Sequence, residues 1–419
     1  MERKLTITLL RSLCSGDREA PALLREVPPG AWGDILRQLE VMDLAPLFFS
    51  RLMRASAAHL IPQKIAKSLG NAYFLHAARN LVIFEDLESL LRRFTQTGID
   101  AIVLKGACLA ETVYDDMALR PMNDIDFLVR ECDLKAAQET LIGMGYGPSM
   151  RPPIADQLRL HHHLIPFTRP ARPSVEVHWT LSPLARLSVM DMDGFRERAV
   201  RAGFGGTTAL ILSPEDLLLH LCLHFSANHR FSILQMKNLC DIAETIKRYR
   251  TSIDWKALND RARGYGVGKY IYCTLRVAAK LFGAEVRPED IEQIDHEDAD
   301  MVMADMVAEH LMEEDPVPLP DVLELMDREV SLGRKLKVLA RCIVPSRGSL
   351  SRKYEWTAAA GKAWPYLYMR HWLDGLSRLW KILGQLLSSR KGARDIIRRR
   401  REAMCITNWL RSGSARRVM

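Results

Sequence analysis

The sequence lacks three features that would assign it to a large class of proteins at once. Its eight cysteines, among 419 residues, include no pair separated by two residues, which excludes zinc knuckles and redox motifs of that spacing. No stretch reaches the ~18 consecutive apolar residues of a membrane-spanning helix. Arg11 interrupts the first apolar run too early for a secretion signal. We therefore expect reduced cysteines and a cytoplasmic location.

Net positive charge is absent outside the C-terminus, where basic and acidic residues balance. The net charge is +8, and residues 388–419 contain ten basic and two acidic residues. An apolar helical face precedes this basic tail and comprises Trp372, Leu376, Trp380, Leu383 and Leu387. We expect this helix to pack on its own domain, with peripheral contact to an anionic membrane as the alternative. No aromatic residues alternate with the arginines, so nucleic acid is a disfavoured partner.

The pattern of apolar and polar residues divides the chain into five regions. Apolar residues three and four apart predict an N-terminal helical region over 1–84. Short β-branched runs between helices predict an α/β core over 85–205, with strands at 101–105, in "NDIDFLV", in "HHHLIPFTR" and in "SVEVHWTL". A helical domain follows over 206–290, then a linker and C-terminal helices over 291–387, and the tail. The predicted fold class is α+β, with a small mixed sheet flanked by helical regions.

Two aspartates stand one residue apart on a strand that otherwise looks buried. In "NDIDFLV", strict alternation places Asp124 and Asp126 on one face, roughly 7 Å apart. A divalent cation between them would relieve their repulsion, and Mg²⁺ prefers such oxygen ligands. If the later strand containing Glu176 pairs beside this one, three carboxylates meet. The competing interpretation of the aspartates alone is a solvated strand edge.

A lysine and a glycine precede these carboxylates. The strand ending at Lys105–Gly106 turns into a helix, whose first backbone N–H groups suit phosphate oxygens. Glycine permits close approach of another group to the backbone. A strand, a glycine, a helix, a D-x-D strand and a later glutamate form a more specific pattern than any one part.

At these residues the chain resembles a known family. The motifs "LKG", "RPMNDIDFLV" and "VEVHW" are similar to those of a bacterial group of uncharacterised nucleotidyltransferases in the DNA polymerase beta superfamily. The close resemblance runs from about residue 90 to 181, and a weaker one continues to about 260. The superfamily usually has Gly-Ser after the first strand, whereas this chain has Gly106–Ala107. The hydroxyl that often touches a phosphate is therefore missing.

The resemblance implies a role for each matching residue. Asp124, Asp126 and Glu176 would be the catalytic and metal-binding carboxylates, holding two Mg²⁺ ions, with Mn²⁺ as the alternative. Lys105, Gly106 and Arg120 would bind the nucleotide phosphates. His178 and Asp241 are candidates for acceptor contact or for supporting the site.

Each of the less certain residues has a structural alternative. Lys105 would extend to solvent from a buried strand, and Arg120 would pair with Asp115 or Asp116. His178 would be a hydrogen-bonded strand histidine, and Asp241 a charge on a helix surface. Separately, the histidines His220, His224 and His229 are interpreted as core or groove residues, because no H-E-x-x-H motif accompanies them.

The function expected from the resemblance is Mg²⁺-dependent transfer of a nucleoside monophosphate from a triphosphate, with ATP favoured, to an unidentified acceptor. The acceptor is a small molecule, a peptide or a protein, and the flanking helices would form its cleft. The alternatives are an inactive relative that binds a nucleotide or a partner, and a nucleic-acid terminal transferase that uses the basic tail.

Overall fold

The computed structural model describes residues 2–16, 19–148, 153–182, 190–313, 344, 365–375 and 390–411. The chain forms two compact units, Met1–Glu313 together with Cys405–Met419, and Glu314–Met404. All elements of the sheet and of the candidate site belong to the first unit. Among the described residues, no helix combines the length and the apolar character needed to cross a membrane.

Helices make up most of the first unit. In chain order they are α1 Glu2–Ser15, α2 Ala20–Glu26, α3 Trp32–Val41, α4 Ala45–Arg54, α5 Gln63–Gln96, α6 Lys105–Thr112, α7 Leu134–Gly143, α8 Ile154–Leu160, α9 Met192–Glu197, α10 Pro214–Leu223, α11 Lys237–Arg248, α12 Trp255–Gly264, α13 Gly268–Phe282, α14 Pro288–Glu292 and α15 Asp298–Met312. A further helix spans Arg390–Arg411, and residues 365–375 are also helical.

One mixed sheet of seven strands carries the site. Its strands are β1 Ile102–Leu104, β2 Asp124–Leu128, β3 Gly147–Pro148, β4 Phe167–Thr168, β5 Ser174–His178, β6 Val200–Phe204 and β7 Thr207–Ile211. Their order across the sheet is β3-β4-β5-β2-β1-β7-β6. The central strand β2 pairs antiparallel with β1 and parallel with β5. A mixed sheet with helical flanks confirms the predicted fold class.

The side chains of β2 alternate between two faces, and each face packs in a different hydrophobic cluster. Ile125 and Phe127 are fully buried in the cluster that also contains Leu90 and Phe94 of α5. Leu128, on the opposite face, belongs to the cluster formed with α10 and the helical body. Side chains alternate along a strand, so Asp124 and Asp126 lie on the face of β2 that is directed towards this helical body.

Local sequence signals explain where two of the helices end or begin. The long helix α5 ends at Gln96, and Gly98 follows with a φ of 73°, a conformation that glycine adopts without strain. Ser213 caps α10, because its hydroxyl accepts a hydrogen bond from the Asp216 N–H. After Arg287 the described residues contain α14 and α15.

The strand predicted in "HHHLIPFTR" is mostly wrong. The preceding residues form α8, and only Phe167 and Thr168 pair as β4. His163 forms one isolated bridge with His178, and Leu164 donates its N–H to the Val177 carbonyl. Pro166 then interrupts the ladder because it has no N–H to donate.

The β6–β7 hairpin was missed by the sequence analysis. It extends the sheet beside β1 through parallel pairing of Ile102 with Leu210. Gly205, with a φ of 58°, turns the hairpin. In the predicted apolar face of the C-terminal helix, Trp372 is exposed, and the other four residues lie outside the described part of the chain.

Candidate active site

The carboxylates converge where β2 runs parallel to β5. In this register Asp124 lies beside Ser174 and Asp126 beside Glu176. His178 follows two residues later on β5 and therefore points to the same face. The condition set from sequence, that the two strands pair, is met, and the two aspartates and the glutamate lie on one face of adjacent strands.

Three ligand-type atoms come especially close together. One atom each from Asp126, Glu176 and His178 lies within 4.8 Å of the other two. The Nε2 atom of His178 is 3.0 Å from Asp126 Oδ1 and 3.5 Å from Glu176 Oε2. Asp124 is not part of this closest set, so the structure adds an imidazole to the expected carboxylates.

Lys105 occupies the centre of this cluster. Its Nζ donates to Asp126 Oδ1 at 2.8 Å and lies 4.0 Å from Glu176 Oε2 and 3.4 Å from His178 Nε2. Its side chain is only 11% exposed, so the alternative of a lysine extending to solvent is wrong. Burial works against the charged ammonium, but Asp126 and Glu176 raise the pKa of Lys105.

The acids of the cluster differ in the direction of their pKa shifts. Burial and the nearby Asp126 charge raise the pKa of Asp124 to about 6. Burial alone would also raise the pKa of Asp126, but Lys105 and His178 hold it well below the usual value. Burial would raise the pKa of Glu176, but the His178 hydrogen bond together with the Lys105 and His163 charges lowers it. Carboxyl groups whose pKa values are shifted in opposite directions are typical of functional sites.

Gly106 lies in the first turn of α6, immediately after Lys105. No side chain caps this helix, so its first N–H groups have no side-chain partner of that kind. A Cβ on Gly106 would come within 2.9 Å of Met122 Cγ. The Met122 side chain therefore occupies the space that the absence of a Cβ leaves beside Gly106. Lys105 itself has a φ of 48°, which is uncommon for a residue with a Cβ.

Arg120 and Asp241 form a buried pair beside the carboxylate cluster. Arg120 Nε donates to the two carboxylate oxygens of Asp241 at 2.8 and 2.9 Å, and Tyr114 Oη donates to the same carboxylate at 2.9 Å. Asp241 is fully buried, so the surface-charge interpretation is wrong. Asp115 pairs instead with Arg54, so the Asp115 alternative for Arg120 is wrong.

Asp116 is likewise engaged elsewhere. Its carboxylate accepts hydrogen bonds from the Tyr73 hydroxyl and from the Ala118 N–H. Arg120 therefore pairs with neither of the aspartates proposed as its alternatives. Its guanidinium also donates to the Pro121 carbonyl at 2.6 Å, which leaves it directed into the protein in this structure.

More histidines surround the site than the sequence analysis assigned to it. The rings of His162 and His163 lie 5.4 and 5.0 Å from the His178 ring. Burial lowers the pKa of His162 to about 2, so its imidazole is neutral. The run "HHH" was the available signal, but alternation on a regular strand would have separated neighbouring rings. The irregular loop before β4 removes that restriction.

One of three comparisons with known proteins gave a match. Searches of curated proteins and of solved structures found no significant similarity. The family described as "Uncharacterised nucleotidyltransferase" matches residues 28–283, which include α3 to α13, the whole sheet and every residue of the site. The match covers more than half of the chain, and the protein therefore belongs to this family of uncharacterised nucleotidyltransferases.

Proposed function

We propose that the protein is a divalent-metal-dependent nucleotidyltransferase that moves a nucleoside monophosphate from a triphosphate to an acceptor and releases pyrophosphate. The observation that carries the proposal is the convergence of Asp126, Glu176 and His178 around one point, with Asp124 adjacent. Family membership supports the same reaction class. We place the fold in the DNA polymerase beta superfamily as part of this proposal.

The donor set fits a divalent cation. Carboxylate oxygens suit Mg²⁺ and Mn²⁺, and an imidazole nitrogen shifts the preference towards Mn²⁺ or a later metal. In the structure the Lys105 ammonium supplies positive charge at this point, 2.8 Å from Asp126. A bound cation would neutralise charge that develops on the transferred phosphate.

The residues of the chain have distinct tasks in this proposal. Asp124, Asp126 and Glu176 hold the cation, and His178 orients Asp126 and is a candidate fourth ligand. Lys105 compensates the carboxylates when no cation is bound and then turns to the triphosphate. The N–H groups at the start of α6, around Gly106, bind phosphate oxygens.

Arg120 has a different role from the one expected at first. Its side chain is engaged with Asp241 and the Pro121 carbonyl. We propose that this pair supports the segment that leads into β2, the strand that begins with Asp124. Direct binding of phosphate by Arg120 is secondary in this proposal. The flanking helices would form the acceptor cleft, with ATP as the first nucleotide to test.

Transfer of a labelled nucleotide tests the proposal. The purified protein is incubated with Mg²⁺ or Mn²⁺, each α-labelled triphosphate, and a lysate as the source of acceptors. The site variant is Asp124→Asn with Asp126→Asn. Its matched control, Glu131→Ala with Asp133→Ala, changes two acids just beyond β2 that lie outside the cluster. Label on an acceptor with wild type and control, but not with the site variant, is the expected result.

The other outcomes have defined meanings. Equal transfer by the wild type and the site variant would contradict the proposal. Absence of transfer, with equal nucleotide binding by both proteins, would also contradict it and favour an inactive binding protein. Labelled nucleic acid as the main product would instead favour a terminal transferase, and truncation at Ser388 would test the part played by the basic tail.

A further inference from the structure

A second group of histidines lies on the helical side of the candidate site. His220 is on α10, His224 begins the π-helix His224–Asn228, and His229 follows it. Lys105 lowers the pKa of each of the three, second only to burial, so the group lies within electrostatic reach of the carboxylate cluster. From the sequence alone these residues are interpreted as core or groove histidines.

The backbone explains why the three rings meet. His220 and His224 are four residues apart on a helix and therefore share a face. A π-turn brings residues five apart onto one face, which places His229 next to His224. The ring centres of His220 and His224 are 5.9 Å apart, and those of His224 and His229 are 4.4 Å apart. Such single π-turns occur frequently at functional sites.

Three ring nitrogens of this group have no hydrogen-bond partner among the described residues. His224 Nε2 lies 3.1 Å from His229 Nε2. Both ring nitrogens of His220 and the Nδ1 of His224 are buried, and none of them has a hydrogen-bond partner within the described ranges. Leaving a buried polar atom unpaired costs about 1–3 kcal/mol. Three such atoms in one cluster are therefore available to a bound group.

We propose that His220, His224 and His229 form an imidazole-only site for a borderline divalent cation of the Zn²⁺ and Co²⁺ type. Two nitrogens 3.1 Å apart fit adjacent ligands of a metal bound at about 2.0–2.1 Å. Neutral imidazole suits Zn²⁺ better than Mg²⁺, so this site and the carboxylate cluster differ in metal preference.

His220 must move to complete the site. In the described parts of the chain, the cluster whose ligand atoms all lie within 4.8 Å is the carboxylate set, and the helical histidines are not in it. The proposal therefore requires that the His220 side chain rotate towards His224, whose ring centre is 5.9 Å away.

The proposal does not depend on nucleotidyl transfer, and the experiment separates the two sites. The full-length protein without a histidine tag is freed of metal and titrated with Co²⁺, whose visible absorption reports on its ligands. A background variant, Asp126→Asn with Glu176→Gln, removes the carboxylate site. In this background we expect one equivalent of Co²⁺ to bind with nitrogen-ligand absorption.

Ligand variants in the same background then identify the site. His224→Asn should abolish the absorption and weaken Co²⁺ binding by at least about tenfold. His229→Asn should do the same, and because His229 is only half-buried it tests the site if His224→Asn fails to fold. His59→Asn, at an exposed histidine elsewhere, is the matched control and should have no effect.

Three results would overturn the proposal. The first is the absence of Co²⁺ absorption in the carboxylate-free background. The second is absorption that survives both His224→Asn and His229→Asn. The third is absorption that is lost in His161→Asn but not in the helix variants, which would assign the metal to the "HHH" segment.

Discussion

Two buried aspartates in this protein each bind a cationic side chain, yet their surroundings differ. Asp241 receives Arg120 and the Tyr114 hydroxyl, so its charge is matched and its oxygens are satisfied. Asp126 receives Lys105 and His178, but Glu176 and Asp124 add further negative charge around the same ammonium. The first arrangement is complete within the chain, whereas the second has an excess of acid that a bound cation would balance.

The difference shows how a structural ion pair can be told from a candidate metal site. A buried pair with matched charge needs nothing more than its own two partners. A group of like charges destabilises the fold unless protons or cations offset it. In the carboxylate cluster, the neighbouring charge helps to raise the pKa of Asp124 to about 6, and the Lys105 ammonium neutralises part of the negative charge.

The largest effect on stability is expected from breaking the matched pair. Arg120→Leu leaves the fully buried Asp241 carboxylate without its guanidinium, which should lower the free energy of unfolding by about 3–5 kcal/mol. Urea unfolding measures the change. Mn²⁺ should not restore the loss, and the double variant Arg120→Leu, Asp241→Leu should recover part of it. A loss below about 1 kcal/mol would show that the pair is not a structural element.

The corresponding change in the carboxylate cluster should respond to metal. Lys105→Met removes the internal cation and should destabilise the metal-free protein by about 2–4 kcal/mol, because three acids then face one another. Unlike the Arg120 variant, this protein should regain stability when Mn²⁺ is added. The thermal midpoint with EDTA and with Mn²⁺ measures both effects. Equal responses of the two variants would remove the distinction between the two pairs.

A smaller and pH-dependent effect is expected at Asp124. Its pKa is about 6 in the folded protein against the ordinary value of 3.8, so folding favours the protonated form. Stability is therefore lost as the pH rises from about 4 to 6 and then stays constant. Without metal, Asp124→Asn should raise stability above pH 6 by on the order of 1–2 kcal/mol and change little below pH 4. Unfolding at pH 4 and pH 7.5 tests this, and a gain confined to low pH would contradict it.

The smallest effect concerns packing beside the cluster. Gly106→Ala places a Cβ 2.9 Å from Met122 Cγ, so the flexible methionine must shift. We expect a loss of about 1 kcal/mol, within the range for mild overpacking. Adding Met122→Ala should relieve that clash, which a double-mutant cycle in urea would detect. Additive effects of the two substitutions would show that they do not interact.

The strands of the site could be predicted from local sequence, but their partners could not. Strict alternation around Asp124 and Asp126 identified β2, and the same pattern identified β5 with Glu176. The pairing of Arg120 with Asp241 joins residues 121 positions apart, and no local pattern indicates which acid a buried arginine will contact. Lys105 was predicted to bind nucleotide phosphates or to extend to solvent, and the structure shows it bound to Asp126.

The β6–β7 hairpin has a recognisable signal in the sequence, whereas the π-turn of the histidine group has none. The hairpin β6–β7 has alternating apolar residues around Gly205–Gly206, a recognisable turn signal that was not used. The π-turn that gathers His224 and His229 has no comparable signature, since "HFSANH" is compatible with an ordinary helix. The spacing of its histidines becomes meaningful only with the backbone in view.

Mn²⁺ binding tests the central claim most directly, because it asks whether the acidic cluster is a metal site. The signal of free Mn²⁺ in electron paramagnetic resonance is measured during titration of the wild type, Asp126→Asn and the control Glu131→Ala, Asp133→Ala. The account predicts saturable binding by wild type and control and a loss of at least about tenfold in Asp126→Asn. Equal binding by all three proteins, or none by the wild type, would contradict it.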